Sequence, residues 1–339
     1  MTDRNCMTVR HTRRRVLKYF GALTVGVAAP FVARMDRALA AWPGDRPVRI
    51  IVPNSPGGPS DLTARFMAPA LREALGGVFV VENRPGGSGS VGTQALIRAE
   101  PDGYTLGVVT SSFGINSVLR QPAPYDAIND LVPVAELISS PSSFVVKPEL
   151  GVSTMKEAVA LAKKDQAKFN IGTPPIGSTL HLGAELLKFR EGLDRVAVIV
   201  HSGGGQAVLG LLAGNFQLGS SSLGPVHGHL KAGTLKGLAI LGEERWHDLP
   251  DIPTAAEAGY EDFNFETCMA LMAPHKTPPE VLKMLEAAAL GALKRPDFRD
   301  RIIAAGFHIR ARTGAEHAAR LRREIPMFKE IIERANIKA

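Results

Sequence analysis

The 339-residue chain holds only two cysteines, Cys6 and Cys268. Cys6 falls in an N-terminal segment that reads as a cleaved leader, which leaves the remainder with one thiol and no internal disulfide. Such a chain must rely on its hydrophobic core, and a sequence of this length that is 45% hydrophobic can supply one or two. Long apolar runs are equally scarce: beyond the leader, no stretch reaches the length that crosses a bilayer. The motifs of common enzymes are missing too. There is no G-x-S-x-G elbow, no H-E-x-x-H pair and no phosphate-loop lysine, so the sequence assembles no hydrolase or metal-enzyme constellation. It has no solenoid period and no low-complexity tract.

What the chain does have begins with residues 1–40, expected to be a twin-arginine signal peptide. Thr12-Arg13-Arg14-Arg15-Val16-Leu17-Lys18 supplies the arginine motif. A mildly apolar segment over 19–32 follows, and Ala38-Leu39-Ala40 offers small residues for cleavage. No cysteine sits at that point, which argues against a lipid anchor. The segment carries eight Lys/Arg against two Asp, a net of +6 out of the chain's +7. The mature part is therefore near neutral, and a basic footprint for nucleic acid is excluded.

From residue 47 onward, short β-branched runs alternate with helical periodicity. Strands are expected over 48–52, 78–82 and 105–110, with helices over 62–75 and 94–99. After strands over 132–138 and 144–147, which flank a Ser/Pro cluster at 139–143, the alternation restarts. Helices over 154–164, 180–189 and 206–213 then alternate with strands over 168–172, 196–200, 216–220 and 235–241. A second crossing falls around 260–267, followed by a strand over 269–273 and amphipathic helices over 279–294, 296–305 and 315–334. The pattern predicts an α/β fold with mostly parallel sheets, in two lobes joined by two crossing segments with a cleft between them. The expected division is 41–142 for the first lobe, 143–262 for the second, and 263–339 returning to the first.

Three Gly-rich turns stand where a strand hands over to a helix. Pro56-Gly57-Gly58-Pro59-Ser60-Asp61 is the first, with Ser60 or Asp61 available to cap the helix. Thr173-Pro174-Pro175-Ile176-Gly177-Ser178 is the second, with Ser178 as cap and His181 one turn on, expected to pack or hydrogen-bond near the cleft. Ser202-Gly203-Gly204-Gly205-Gln206 is the third. Glycines let such turns expose N–H groups at a helix N-terminus, where a carboxylate is stabilised by the donors and the helix dipole. Each also reads as an ordinary capped turn. Gly87 to Gly92 fits G-x-G-x-x-G, but the next strand ends Val108-Val109-Thr110 without the acid that would hold a ribose, so it is expected to be structural. His227-Gly228-His229 lacks a third metal ligand and is expected to be a solvated loop. Cys268 is expected to be buried packing, and Arg320 to Arg334 a solvated helical face of mixed charge.

Taken in order, the residues resemble the Bug-type (TctC-like) substrate-binding receptors of tripartite tricarboxylate transporters over nearly all of 42–337. The resemblance rests on Trp42-Pro43, Arg46 to Pro53, Pro56-Gly57-Gly58 with Asp61, Val81 to Gly87, Gly92-Thr93 and Pro101 to Leu106. It continues through Tyr125-Asp126, Asp130 to Val134, Gly177-Ser178, His181-Leu182, Ala232-Gly233, Pro250 to Thr254, Glu257-Ala258-Gly259 and Ala273-Pro274. It implies a type II periplasmic-binding-protein fold that closes on a small carboxylate without catalysis, cofactor or metal. It further implies a periplasmic, monomeric protein that delivers solute to membrane transporter subunits, with a ligand sensor for a membrane signalling partner as the alternative. The ligand contacts it implies, joined to the turns above, are Ser55, Pro56, Gly57, Gly58, Asp61, Ser111, Ser112, Thr173, Gly177, Ser178, His181, Gly204 and Cys268. Four departures lie close to that side: Pro175 for a glycine, Val200-His201-Ser202-Gly203 for Pro-Tyr-Lys-Gly, Gly210 for an aspartate and Cys268 for a tryptophan. They point to a ligand less anchored by polar groups, or larger, than is usual in the family.

Overall fold

The computed structural model describes residues 42–261 and 263–338; the segment 1–40, expected to be a twin-arginine signal peptide, lies outside the described residues. In chain order its strands are β1 (Val48–Val52), β2 (Phe79–Asn83), β3 (Thr105–Thr110), β4 (Leu131–Ser140), β5 (Ser142–Val146), β6 (Asn170–Thr173), β7 (Ala197–Val200), β8 (Leu218–Ser222), β9 (Lys236–Leu241), β10 (Thr267–Pro274) and β11 (His308–Thr313). The helices are α1 (Pro59–Leu75), α2 (Ser90–Ile97), α3 (Ser112–Leu119), α4 (Met155–Lys164), α5 (Thr179–Glu191), α6 (Gly204–Leu212), α7 (Leu223–Lys231), α8 (Pro279–Lys294), α9 (Pro296–Ala304) and α10 (Gly314–Arg334).

The strands form two sheets, ordered β11-β4-β10-β3-β1-β2 and β7-β6-β8-β5-β9. Only part of each is parallel, contrary to the expectation of mostly parallel sheets. β1 runs parallel to β2 and β3, while β10 is antiparallel to both β3 and β4. In the second sheet β6 is parallel to β7 and β8, and β5 is antiparallel to β8 and β9. The reason is topological. β4 carries the chain out of the first sheet and β10 brings it back, so two neighbouring strands must run in opposite senses. Pro141 is the one residue between β4 and β5. Without an N–H it cannot continue a ladder, and the chain changes sheets there.

Val48, Ile50, Val52, Leu71, Val281 and Leu285 pack in the core of the first sheet, and Phe144, Val146, Ile171, Leu182 and Leu218 in that of the second. Each such side chain contributes roughly 1.5–3 kcal/mol when fully buried. Ile115 and Leu119 of α3, with Phe328, Ile331 and Ile332 of α10, also join the second core. The final helix therefore packs against both halves of the molecule.

Three elements were not anticipated. α3 forms where Ser-Phe-Gly-Ile-Asn-Ser offers poor helix formers, α7 forms where a His-Gly-His loop was expected, and β11 forms from alternating charged residues.

Candidate functional site

α1 begins three residues earlier than its apolar periodicity implies. Pro59 takes the first helical position, where its fixed φ suits the helix and its missing N–H is no loss. Gly58 thus becomes the cap residue, and neither Ser60 nor Asp61 caps the helix as expected. Asp61 instead sits inside the first turn, buried, and accepts from Gly57 N (2.8 Å), Arg65 Nε (2.9 Å) and Asn83 Nδ2 (3.0 Å). Burial alone would raise its pKa; the Arg65, Gly57 and Asn83 hydrogen bonds outweigh this and hold the carboxyl below its ordinary range. Asp61 thereby fixes the turn around Gly57, whose φ is +80°. Ser55, Pro56 and Gly57 are exposed. The N–H groups of Ser60 and Asp61 have no partner within the helix, as the geometry of a helix start requires.

The second turn is built differently. Ser178 caps α5, its Oγ accepting from His181 N at 3.2 Å, which leaves the N–H groups of Thr179 and Leu180 without intrahelical partners. Thr173 is fully buried and its hydroxyl donates to Pro174 O at 2.9 Å. His181 is buried, with Nδ1 unpaired, and burial pushes its pKa down, so the ring is neutral at neutral pH. Gly177, at φ +81°, lies against α3: a Cβ there would stand 2.7 Å from Asn116 Oδ1 and 3.2 Å from Leu119 Cδ2. Thr179 Oγ1 also meets Thr267 Oγ1, at the start of β10, at 2.7 Å. The start of α5 is therefore pressed onto elements of the first sheet.

Ser111 and Cys268 form a reciprocal pair: Ser111 N donates to Cys268 O (3.1 Å), and Cys268 N donates to Ser111 Oγ (3.0 Å). The Cys268 thiol is buried, as expected, and burial raises its pKa. One residue on, Ser112 opens α3 and lines a cavity of about 10 Å³ together with Asn54, Ser88, Thr93, Thr110 and Asn116. Tyr125 closes the back of this cavity, donating to Phe113 O at 3.1 Å and stacking on the Phe113 ring. No charged side chain lines it. Asn54, Ser88, Thr110 and Asn116 were not singled out from the sequence. Asn54 and Thr110 stand at or just past strand ends that were identified, which was a usable signal; Asn116 lies on the unanticipated helix.

The third turn stands apart. Ser202 Oγ pairs with Gln206 Oε1, both exposed, and the neighbours of Gly204 are Ser222 and Pro225. His201 meets Phe216 edge to face, and His201 Nε2 and Phe216 Cε1 each lie 2.9 Å from where a Cβ of Gly210 would be, so the missing aspartate position is filled by those two rings. His227 and His229 lie on α7 rather than a loop, bonded to Asp248 (3.0 Å) and Thr234 (2.9 Å). Among the described residues no three His, Cys, Asp or Glu side chains gather as metal ligands, and no helix is long and apolar enough to cross a membrane.

Behind the site the crossing segments are tied by buried charge. Arg310 on β11 donates to Ser139 Oγ (2.8 Å) on β4 and pairs with Glu266, which precedes β10. Glu136 on β4 is wholly buried and meets Arg312 (2.9 Å), His317 (2.8 Å) and Arg320 (3.0 Å). Burial would raise the Glu136 pKa; the His317 hydrogen bond and the charges of Arg320, His317 and Arg312 win and bring it to about 2. Arg320 therefore does not belong to a solvated face.

The architecture matches that of periplasmic-binding proteins of type II. The tripartite tricarboxylate transporter family receptor model matches residues 63–337. Protein BugT of Bordetella pertussis is 35% identical over 264 residues, 77% of this chain and 78% of that protein. An R. palustris protein solved with adipate superposes with a TM-score of 0.80 at 26% identity, covering 88% of this chain and 99% of that one. MatC from Rhodopseudomonas palustris, solved with bound malate, gives 0.76 at 27% identity, covering 85% and 99%.

Proposed function

The chain belongs to the family of tripartite tricarboxylate transporter receptors, periplasmic solute-binding proteins rather than enzymes, and from that premise we propose that it closes two lobes on a small carboxylate and hands it to the membrane subunits of such a transporter. The first lobe takes residues 41–142 and 263–339, and the second takes 143–262. The ligand lies between the starts of α1 and α5. Carboxylate binding by relatives solved with adipate and malate supports the ligand class.

One observation carries this reading. The start of α5, whose first N–H groups have no partner within the helix, meets α3 of the other half at Gly177, and Asn116 of α3 shares a small cavity with Asn54, which accepts from Ser60 Oγ in the first turn of α1. Helix starts hold an anion by backbone donors and dipoles, a contribution of about 0.3–1 kcal/mol each and up to ~2 where partly buried. Gly57, Gly58, Ser112, Gly177 and Ser178 are the contacts we propose. Asp61 and Ser111 support them, since their polar groups already bond to the chain. Export follows the twin-arginine route, and the mature protein acts as a monomer. Arg13→Lys with Arg14→Lys should leave the precursor uncleaved in the cytoplasm.

A thermal-shift screen of residues 41–339 against di- and tricarboxylates, amino acids and aromatic acids, with their amides, sugars and polyols as solutes without a carboxylate, tests the ligand class. A ligand at a hundredfold excess over Kd stabilises by about 2.7 kcal/mol. Stabilisation by carboxylates alone is the expected result. Stabilisation only by solutes without a carboxylate refutes the reading.

A further inference from the structure

Asn116 is 1% exposed, and its amide orientation is fixed by one contact: Nδ2 donates to Ser88 O at 2.9 Å. The opposite orientation would set two acceptors face to face. Oδ1 is consequently committed as an acceptor, and it has no donor. Buried polar atoms are nearly always satisfied, so an exception at a binding site points to a missing partner. This one sits where the two halves meet, with Gly177 on one side and the 10 Å³ cavity on the other. A cavity of that size accepts about one water-sized group.

We propose that Asn116 is a specificity-determining residue that accepts a hydrogen bond from a hydroxyl of the ligand, so that the preferred solute is a hydroxy-substituted carboxylate. The inference rests on the carboxylate-receptor reading above and adds to it the chemistry of one substituent. An ionised carboxylate has no proton to give to Oδ1; a hydroxyl does. The side chains around the cavity, Asn54, Thr93, Thr110 and Ser112 among them, are neutral, and no acid lines it. An ammonium buried there would lack a counter-charge, which favours a hydroxyl over an amino group. Ser112 and Thr110 can in turn donate to the same hydroxyl oxygen.

The test is calorimetric titration of the mature chain with pairs that differ by one hydroxyl: succinate and malate, glutarate and 2-hydroxyglutarate, adipate and 2-hydroxyadipate. Aspartate and glutamate serve as amino counterparts. The expected result is that the hydroxylated member of at least one pair binds about tenfold or more tightly than its parent. In Asn116→Leu that ratio should fall to near one, whatever the absolute affinities. Because Asn116→Leu also releases Ser88, Asn116→Asp is measured beside it, and this variant, which keeps an acceptor, should retain part of the ratio. Equal affinities within every pair for the wild type overturn the inference and leave the carboxylate reading intact. Tighter binding of the amino acids than of the hydroxy acids also overturns it. Binding of none of these acids removes the reading and the inference together.

Discussion

Gly177→Ala separates two effects that the structure places on one residue. The backbone there has φ +81°, a left-handed conformation that costs a residue with a Cβ roughly 1–2 kcal/mol. That strain belongs to the turn and persists whether or not ligand is bound, so it lowers stability, by about 2–4 °C per kcal/mol for a chain of this size. The second effect is steric. The new methyl group would lie 2.7 Å from Asn116 Oδ1, whereas C···O contacts settle near ~3.3–3.6 Å. The turn must retreat from α3 by several tenths of an ångström, which opposes closure and weakens ligand binding about tenfold. Gly151→Ala is the control: it has φ +73°, and nothing lies within 4 Å of its Cβ position. Calorimetric titration with thermal unfolding should show both variants losing similar stability but only Gly177→Ala losing affinity. Unchanged affinity in Gly177→Ala would refute the claim that this turn presses on α3 in the bound state.

Other outcomes follow from the same geometry. Glu136 has a folded pKa near 2, below its unfolded value, so its contribution is complete above about pH 4.5 and is lost as pH falls toward 2; the pKa difference corresponds to about 3 kcal/mol. Glu136→Gln should flatten urea stability across that acid range and lower it at neutral pH. Ser178→Ala removes the cap of α5 and should cost about 1 kcal/mol, read as a lower urea midpoint at unchanged slope. Arg310→Met strands the buried Glu266 carboxylate and should cost about 3–5 kcal/mol, with Glu266→Gln in the same chain recovering part of the loss. Full additivity of those two substitutions in urea unfolding would show that the pair does not interact.

The parts of the fold legible in the sequence are those where local pattern and tertiary packing agree. α8 and α9 each carry proline at N1, and α10 opens on a Thr313–Glu316 capping box, so their starts follow from chain chemistry. β11 was hidden because His-Ile-Arg-Ala-Arg-Thr looks like solvent-facing chain. Its arginines turn inward to Glu136 and Glu266, partners more than forty residues away. α3 was hidden because glycine, serine and asparagine are weak helix formers; burial of Phe113, Ile115 and Leu119 overrides them. The three Gly-rich turns were all found, since glycine, proline and serine at a strand-to-helix junction carry their meaning locally. What local reading could not supply was the inward rotation of Asp61, set by proline at N1, and the meeting of Gly177 with Asn116. That contact joins residues 61 positions apart and exists only once both sheets have formed.

The most direct test of the account is a crystal structure of the mature chain with a bound dicarboxylate. The account predicts one ligand between the two lobes, its carboxylate oxygens within hydrogen-bond reach of the backbone N–H groups at the start of α1 or of α5. A ligand found elsewhere, for example in the open hollow beside Arg98 and Arg120, with the α1 and α5 starts unengaged, would contradict it.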